Sequence, residues 1–260
     1  MASVLDLSGS GILPRFAWDN ALDYVDTLTA TTEAAGFPVE SLTTWRPFQQ
    51  WRPTALPATV TATWAAAREI NCFCFFGHHL GTRGCTITCE YYDGSWNAFG
   101  SAVVPAGTEV VYIYAGTVMA SQARFTVTGA EDAPEIGVWF VGKDFQPTSG
   151  IQPGWEPPAG AQTPDTREAI SRNGLWRGAT VQDVRAESAL SISPIREADY
   201  VSLWRPFRSR CHRLQPFFLH WNTTEDVAGA AYCSAATFSG GAYTAPGFQS
   251  ITISARMEIQ

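Results

Sequence analysis

The sequence predicts an all-β protein built from antiparallel strands. Apolar and polar residues alternate in many short segments, which is the pattern of a half-buried strand. These segments are rich in valine, isoleucine, threonine and aromatic residues, and glycine or proline separates them. The first half of the chain contains no segment with the period of a long helix.

Two alternating runs within residues 70–96 give the clearest pair of strands. Cys72, Cys74 and Phe76 share one face of the first run, and residues 85–90 alternate in the same way. The connector, residues 77–84, contains three glycines and is too long for a two-residue hairpin. We therefore expect two strands joined by a polar loop.

The remaining elements follow in order. Further strands are predicted over residues 27–31, 59–64, 108–115, 122–127, 135–141, 180–186, 189–195, 232–238 and 248–258, with a turn at 65–69. A short helix is predicted within residues 195–208. We expect Pro206 to end it, because proline lacks an N–H and its ring clashes with the preceding turn.

Prolines and glycines are concentrated in residues 145–165, too densely for the inside of a sheet. This stretch predicts a linker. The chain is accordingly divided into a β-sandwich domain over 1–144, the linker over 145–165, and a smaller β-rich domain over 166–260.

Composition limits the possible partners. Hydrophobic residues make up 45% of the chain and charged residues 16%, so we expect a weakly charged surface that favours self-association. The formal net charge of −7 argues against nucleic acid, since phosphate contacts need a basic face. No apolar run is long enough for a membrane span, and the amino terminus lacks a signal-peptide pattern. Synthesis in a cytoplasm is therefore expected.

The six cysteines are expected to be reduced, small buried side chains. A zinc site and a disulfide are the alternatives, and the zinc ligands would come from Cys72, Cys74, Cys85, Cys89, His78 and His79. The cysteine spacing differs from the Cys-x2-Cys pairs of structural zinc sites, so neither a metal nor a cofactor is predicted.

No catalytic motif is present. The sequence lacks Gly-x-Ser-x-Gly, His-Glu-x-x-His, Walker and dinucleotide-binding patterns, so we do not expect an enzyme. The tetrapeptide Trp-Arg-Pro-Phe occurs at residues 45–48 and again at 204–207. The residues around it do not repeat, which indicates coincidence or two similar loop plugs and not a duplication.

Two short motifs carry a resemblance to a known family. Residues 77–81, Gly-His-His-Leu-Gly, and residues 93–96, Asp-Gly-Ser-Trp, resemble the discoidin-like, galactose-binding-type sandwich of long-tailed bacteriophage tail proteins. His79 stands where that pattern usually has asparagine. With residues 36–42 and 134–138, the resemblance covers about half the chain and implies an antiparallel jelly-roll sandwich in the first half.

The second half is similar to the ring-forming module of phage distal tail and minor tail proteins, through residues 216–221 and the acidic pair Glu225 and Asp226. This resemblance implies a structural virion protein of the tail tip or baseplate, made in the host bacterial cytoplasm. Its partners would be other copies of itself in a ring and neighbouring phage tail proteins. The residues expected at subunit contacts are Arg205, Arg208, Arg210, Phe217 and Trp221.

The alternative function is a carbohydrate-binding module that contacts a host-surface glycan through loops at one end of the sandwich. Tryptophan rings stack on sugars, but Trp45 and Trp51 also suit a plug that closes one end of the sandwich. The residues expected at such a glycan site are Trp45, Trp51, His78, His79 and Arg83.

Overall fold

A computed structural model describes residues 13–129, 132–158, 162–170, 173, 176–221 and 229–258. Its strands are β1 (Arg15–Asn20), β2 (Thr27–Ala30), β3 (Ala58–His78), β4 (Thr86–Tyr92), β5 (Trp96–Ala98), β6 (Val111–Thr128), β7 (Ile136–Phe145), β8 (Gln162–Ile170), β9 (Trp176–Arg196), β10 (Phe217–His220), β11 (Ala230–Ala245) and β12 (Phe248–Glu258). Short 3-10 turns occupy Ala21–Tyr24, Val39–Thr43 and Gly81–Arg83. The all-β prediction is confirmed.

The strands form one sheet in the order β5-β4-β6-β3-β7-β1-β10-β11-β12-β9-β8, and β2 pairs with β3. Every strand pair in this sheet is antiparallel. The first strand of the chain, β1, lies between β7 and β10 and so joins the two halves.

Long bent strands replace several predicted turns. The turn expected at residues 65–69 is wrong, because β3 runs through it with a register shift between Thr63 and Arg68 against β6. The separate strands predicted at 108–115 and 122–127 fall in β6, which begins at Val111, and those at 180–186 and 189–195 are parts of β9. A bulge bends a strand without ending it, so alternation is interrupted where no turn exists.

The first half is a sandwich because the β3–β6 ribbon folds back on itself. Phe75 pairs with Val111 and Phe125 pairs with Val60, so the two phenylalanines lie far apart along the ribbon. Their ring centroids are nevertheless 5.1 Å apart. The two ends of the ribbon therefore face each other across a core, and the antiparallel sandwich is confirmed.

A second core lies under a helical segment made of α1 (Glu197–Asp199), a π-helical turn (Tyr200–Trp204) and α2 (Arg205–Cys211). Phe207 on α2 packs against the rings of Phe16 and Phe217, with centroids 5.4 and 5.0 Å away. The prediction that Pro206 ends the helix is wrong. Pro206 lies in the first turn of α2. The turn before it is π-helical, with the Arg205 N–H donating to the Tyr200 carbonyl, so the segment stays helical on both sides of Pro206.

A third core joins the two halves. Phe76 on β3 stacks on Tyr232 of β11 with centroids 4.6 Å apart. Four strand steps separate β3 from β11, which is about 19 Å in a flat sheet. The sheet is therefore curled around this core, which contains Cys72 and Cys74. The division into two domains stays a prediction, and its linker overlaps β7 at Phe145 and the start of β8.

Candidate functional site

A groove opens where the two halves meet, and we call it the Trp45 groove. It encloses about 510 Å3 and is lined by Asp23, Thr44, Trp45, Arg210, Leu214, Gln215 and Pro216. The first three residues follow β1 or the 3-10 turn Val39–Thr43, and the others belong to α2 or the segment after it. Neither half builds the groove alone.

The backbone of Trp45 is held in the left-handed region, with φ at 58°. That conformation costs a non-glycine residue about 1–3 kcal/mol, so the surroundings must impose it. The Tyr232 hydroxyl donates to the Trp45 carbonyl at 2.6 Å, and the indole Nε1 donates to Asp23 Oδ1 at 3.2 Å. The indole also packs against Phe140, with centroids 5.8 Å apart. These contacts fix the position of the half-buried ring.

Arg210 ties the helix to the first half. Its guanidinium donates to Asp19 Oδ1 and the Tyr24 hydroxyl at 2.7 Å each, to Asp23 Oδ2 at 2.5 Å, and to Gln215 Oε1 at 2.6 Å. Burial alone would lower the pKa of Arg210, but the hydrogen bond to Tyr24 and the two carboxylates raise it above its ordinary value. Arg210 therefore stays charged and fixed beside Trp45.

This groove combines one aromatic ring with planar polar groups. Besides Asp23 and Arg210 it offers the Gln215 amide, whose Nε2 donates to Asp23 at 3.0 Å. Leu214 adds an apolar side chain that is 78% exposed. An indole suits the apolar face of a ring-shaped ligand, and carboxylate, guanidinium and amide groups suit hydroxyls at its edge.

A second groove adjoins the first, and we call it the Phe48 groove. It encloses about 480 Å3 and is lined by Gly36, Phe37, Pro38, Glu40, Ser41, Thr44, Phe48, Gln49 and Gln50. In the loop from Trp45 to Phe48, Pro47 lies against Gly77 and Gly137, and a Cβ atom on Gly137 would overlap the Pro47 carbonyl. The absence of a side chain at Gly137 therefore permits this close loop contact.

The structure places only Trp45 of the predicted glycan residues in a groove. Trp51 is fully buried and pairs with Ile136, and His78 is 1% exposed, so neither can contact a surface glycan and both assignments are wrong. His79 lies 3.4 Å from Glu135, and Arg83 lies 3.1 Å from Asp132. Neither of these two exposed side chains lines a groove.

The residues predicted at subunit contacts separate into three groups. Phe217 is fully buried within the second core, so its assignment is wrong. Trp221 is 9% exposed and packs on Trp155, and the donors of Arg210 are engaged within the chain. Arg205 is exposed, and Arg208 donates to the Tyr200 hydroxyl at 3.2 Å. A role in assembly stays a prediction for these residues.

The cysteines are buried and none forms a disulfide. Burial raises the pKa of the Cys72 and Cys74 thiols, which keeps them protonated. Among the described residues, no three His, Cys, Asp or Glu side chains come together as metal ligands. None of the helices in this part of the chain has the length and hydrophobicity needed to cross a membrane.

Most of the lining residues carry no signal in the sequence. Asp23, Arg210 and Gln215 meet only because β1 lies beside both β7 and β10, and local patterns do not report such an arrangement. Phe48 belongs to the repeated Trp-Arg-Pro-Phe tetrapeptide, in the loop whose Trp45 and Trp51 are predicted for a glycan site.

Comparisons with known proteins find similarity in structure alone. No family model and no curated protein sequence matches this chain. A fucosidase of Ruminococcus gnavus in complex with fucose is 12% identical, with a TM-score of 0.41 over 49% of this chain and 27% of its own. A chitosan-binding module of a chitosanase/glucanase from Paenibacillus sp. IK-5 is 15% identical, with a TM-score of 0.42 over 48% of this chain and 99% of its own. A pectin-binding carbohydrate-binding module is 12% identical, with a TM-score of 0.40 over 46% of this chain and 91% of its own.

The similar region is about half of this chain and about a quarter of the fucosidase. Fucose, chitosan and pectin are ligands of those proteins.

Proposed function

We propose that this chain binds carbohydrate in the Trp45 groove. One observation carries the proposal: a half-buried tryptophan, fixed in left-handed backbone, lies beside a carboxylate, a guanidinium and an amide. A sugar presents C–H groups on its ring face and hydroxyls at its edge, which match an indole and planar polar groups, respectively. Because hydrogen bonds already orient the polar groups, little further ordering is needed on binding.

The test is a glycan array followed by calorimetric titration of the best neutral ligand against the wild type and Trp45→Ala. We expect Trp45→Ala to weaken binding by about tenfold or more, since an aromatic stack contributes about 1 kcal/mol beyond its area. Trp45→Phe keeps a ring and should retain more affinity than Trp45→Ala.

Trp96→Ala is the matched control. Trp96 is also half-buried, but it lies on β5 beneath the Arg124 guanidinium, 4.0 Å from the ring centroid, and lines neither groove. Its loss should leave the affinity unchanged. Full affinity in folded Trp45→Ala would refute the groove assignment, and a wild type that binds no glycan would refute the function.

Assembly as a ring in a phage tail, with neighbouring tail proteins as partners, remains a separate prediction. The mass of the purified protein in solution tests it without reference to glycan, because a ring requires several copies. A monomer at all concentrations tested would contradict it.

A further inference from the structure

The Trp45 groove and the Phe48 groove adjoin each other at Thr44. Thr44 lines both of them, Trp45 belongs to the first and Phe48 to the second. Three residues of chain span no more than about 11 Å between Cα atoms. One extended ligand can therefore contact both rings.

Exposure of apolar side chains points to the same pair of grooves. Among the described large apolar residues, the two most exposed are Phe48 and Leu214, at 78% each, and each lines a different groove. Isolated exposed apolar residues are ordinary, but these two lie in adjacent grooves, one of which also contains Trp45, and we call the three side chains the apolar track. Polar side chains border this track at Glu40, Gln49 and Gln215.

We infer that the two grooves bind consecutive units of one neutral glycan chain. The inference rests on the proposed function, because the Trp45 groove supplies the first subsite. The Phe48 groove supplies a second subsite, where the exposed phenyl ring takes the apolar face of a neighbouring sugar and amide groups face its hydroxyls.

The charges of the grooves favour an uncharged ligand. Arg210 is the one cation among the described residues that line either groove, and Asp19 and Asp23 already neutralise it. Glu40 adds a further carboxylate to the Phe48 groove, and the whole chain has a net charge of −7. A sugar carboxylate or sulfate would therefore meet repulsion without an unpaired cation to bind.

The experiment is a calorimetric titration with neutral mono-, di-, tri- and tetrasaccharides of the backbone that the wild type binds, with an oligogalacturonate as the anionic probe. Wild-type affinity should rise with chain length, and oligogalacturonate should bind more weakly than the neutral chain. Phe48→Ala should remove about tenfold from the tetrasaccharide affinity and leave the shortest bound ligand unchanged. Phe48 is mostly exposed, so this variant should fold normally.

Tyr243→Ala is the control, because Tyr243 is 61% exposed and lines neither groove. Length-independent affinity, or an unchanged tetrasaccharide affinity in Phe48→Ala, would overturn the second subsite and leave the Trp45 groove intact. Tighter binding of oligogalacturonate would overturn neutrality. If the wild type binds none of these probes and no arrayed glycan, the proposed function fails and the extended site fails with it.

Discussion

The two copies of Trp-Arg-Pro-Phe adopt different structures in opposite environments. In residues 45–48 the tetrapeptide forms a loop with Trp45 at a φ of 58°, and Phe48 is 78% exposed. In residues 204–207 it is helical, and Trp204 and Phe207 are 1% and 0% exposed. Identical local sequence gives two outcomes because tertiary packing overrides local propensity.

The neighbours of each proline explain the difference. Pro47 lies against Gly77 and Gly137, in the ends of β3 and β7. A larger residue in place of either glycine would displace the loop. Pro206 directly follows a π-helical turn, in which the Arg205 N–H donates to the Tyr200 carbonyl, and the helix continues through it as α2. The first copy is shaped by contacts with two strands, and the second by the apolar core beneath a helix.

Asp23 connects the two regions. One carboxylate oxygen accepts from the indole of Trp45 in the first copy, and the other accepts from Arg210 on the helix that carries the second. The buried copy therefore helps to position the exposed one. The stability of the second core and ligand binding in the grooves are expected to be coupled in part through this carboxylate.

The largest expected effect separates the two phenylalanines. Phe207→Ala should lower the free energy of unfolding by about 3–5 kcal/mol, because it leaves a cavity among Phe145, Phe217 and Phe238. Phe48→Ala should change it by no more than about 0.5 kcal/mol, as for most surface substitutions. Urea denaturation of both variants measures the difference, and equal losses would contradict the assignment of the two environments.

The strands were largely predictable, but their lengths and neighbours were not. Alternation predicted most of the pairing segments, since it depends only on which residues face a core. It did not predict that β3 continues through residues 65–69, because a bulge interrupts alternation just as a turn does. The position of β1 between the halves depends on pairings with distant residues, such as Phe16 with Phe145 and Leu219, and no local pattern reports these.

The groove residues could not be predicted from local sequence patterns either. Trp45 and Trp51 each begin a Trp-Arg-Pro sequence in the same loop region, and both suited a glycan site. The structure buries Trp51 against Phe125 and leaves Trp45 half-exposed. A tryptophan in a loop has two uses, packing and recognition, and only the three-dimensional neighbours distinguish them.

A smaller effect concerns His78, which follows the glycine that Pro47 of the first copy contacts. Burial lowers the pKa of the His78 imidazole to about 4, against an ordinary value near 6.5. The unfolded chain then binds a proton that the native protein does not, between about pH 6.5 and 4. The stabilising contribution is fully present above about pH 6.5 and is lost as the pH falls towards 4, by about 3 kcal/mol.

Burial also lowers the pKa of His220 to about 4, so it should contribute a similar slope. His78→Asn should therefore reduce the pH dependence of the unfolding free energy between about pH 6.5 and 4. His79→Asn is the matched control, since the His79 side chain is 46% exposed. Denaturation curves recorded across this pH range measure the slope, and an unchanged slope in His78→Asn would show that His78 is protonated in the native protein.

The smallest effect tests the connection between the two copies. Arg210→Met should lower the free energy of unfolding by about 1–2 kcal/mol, because the hydrogen bonds to Asp19 and Asp23 are partly screened by solvent. Arg210→Lys keeps the charge but loses the planar fork, so it should fall between Met and the wild type. Arg205→Met, on the exposed side of the same helix, should change stability by less than about 0.5 kcal/mol.

Stability measured at different salt concentrations distinguishes the contribution of the Arg210 charge from that of its packing. If the ion pairs contribute, the difference in stability between wild type and Arg210→Met should shrink as ionic strength rises, because salt screens partly exposed charges. Arg210→Met should also weaken glycan binding, since Asp23 loses one of its three side-chain donors, the others being Trp45 and Gln215. A variant that is destabilised equally at all salt concentrations and binds glycan normally would show that Arg210 acts through packing alone and that the two copies are independent.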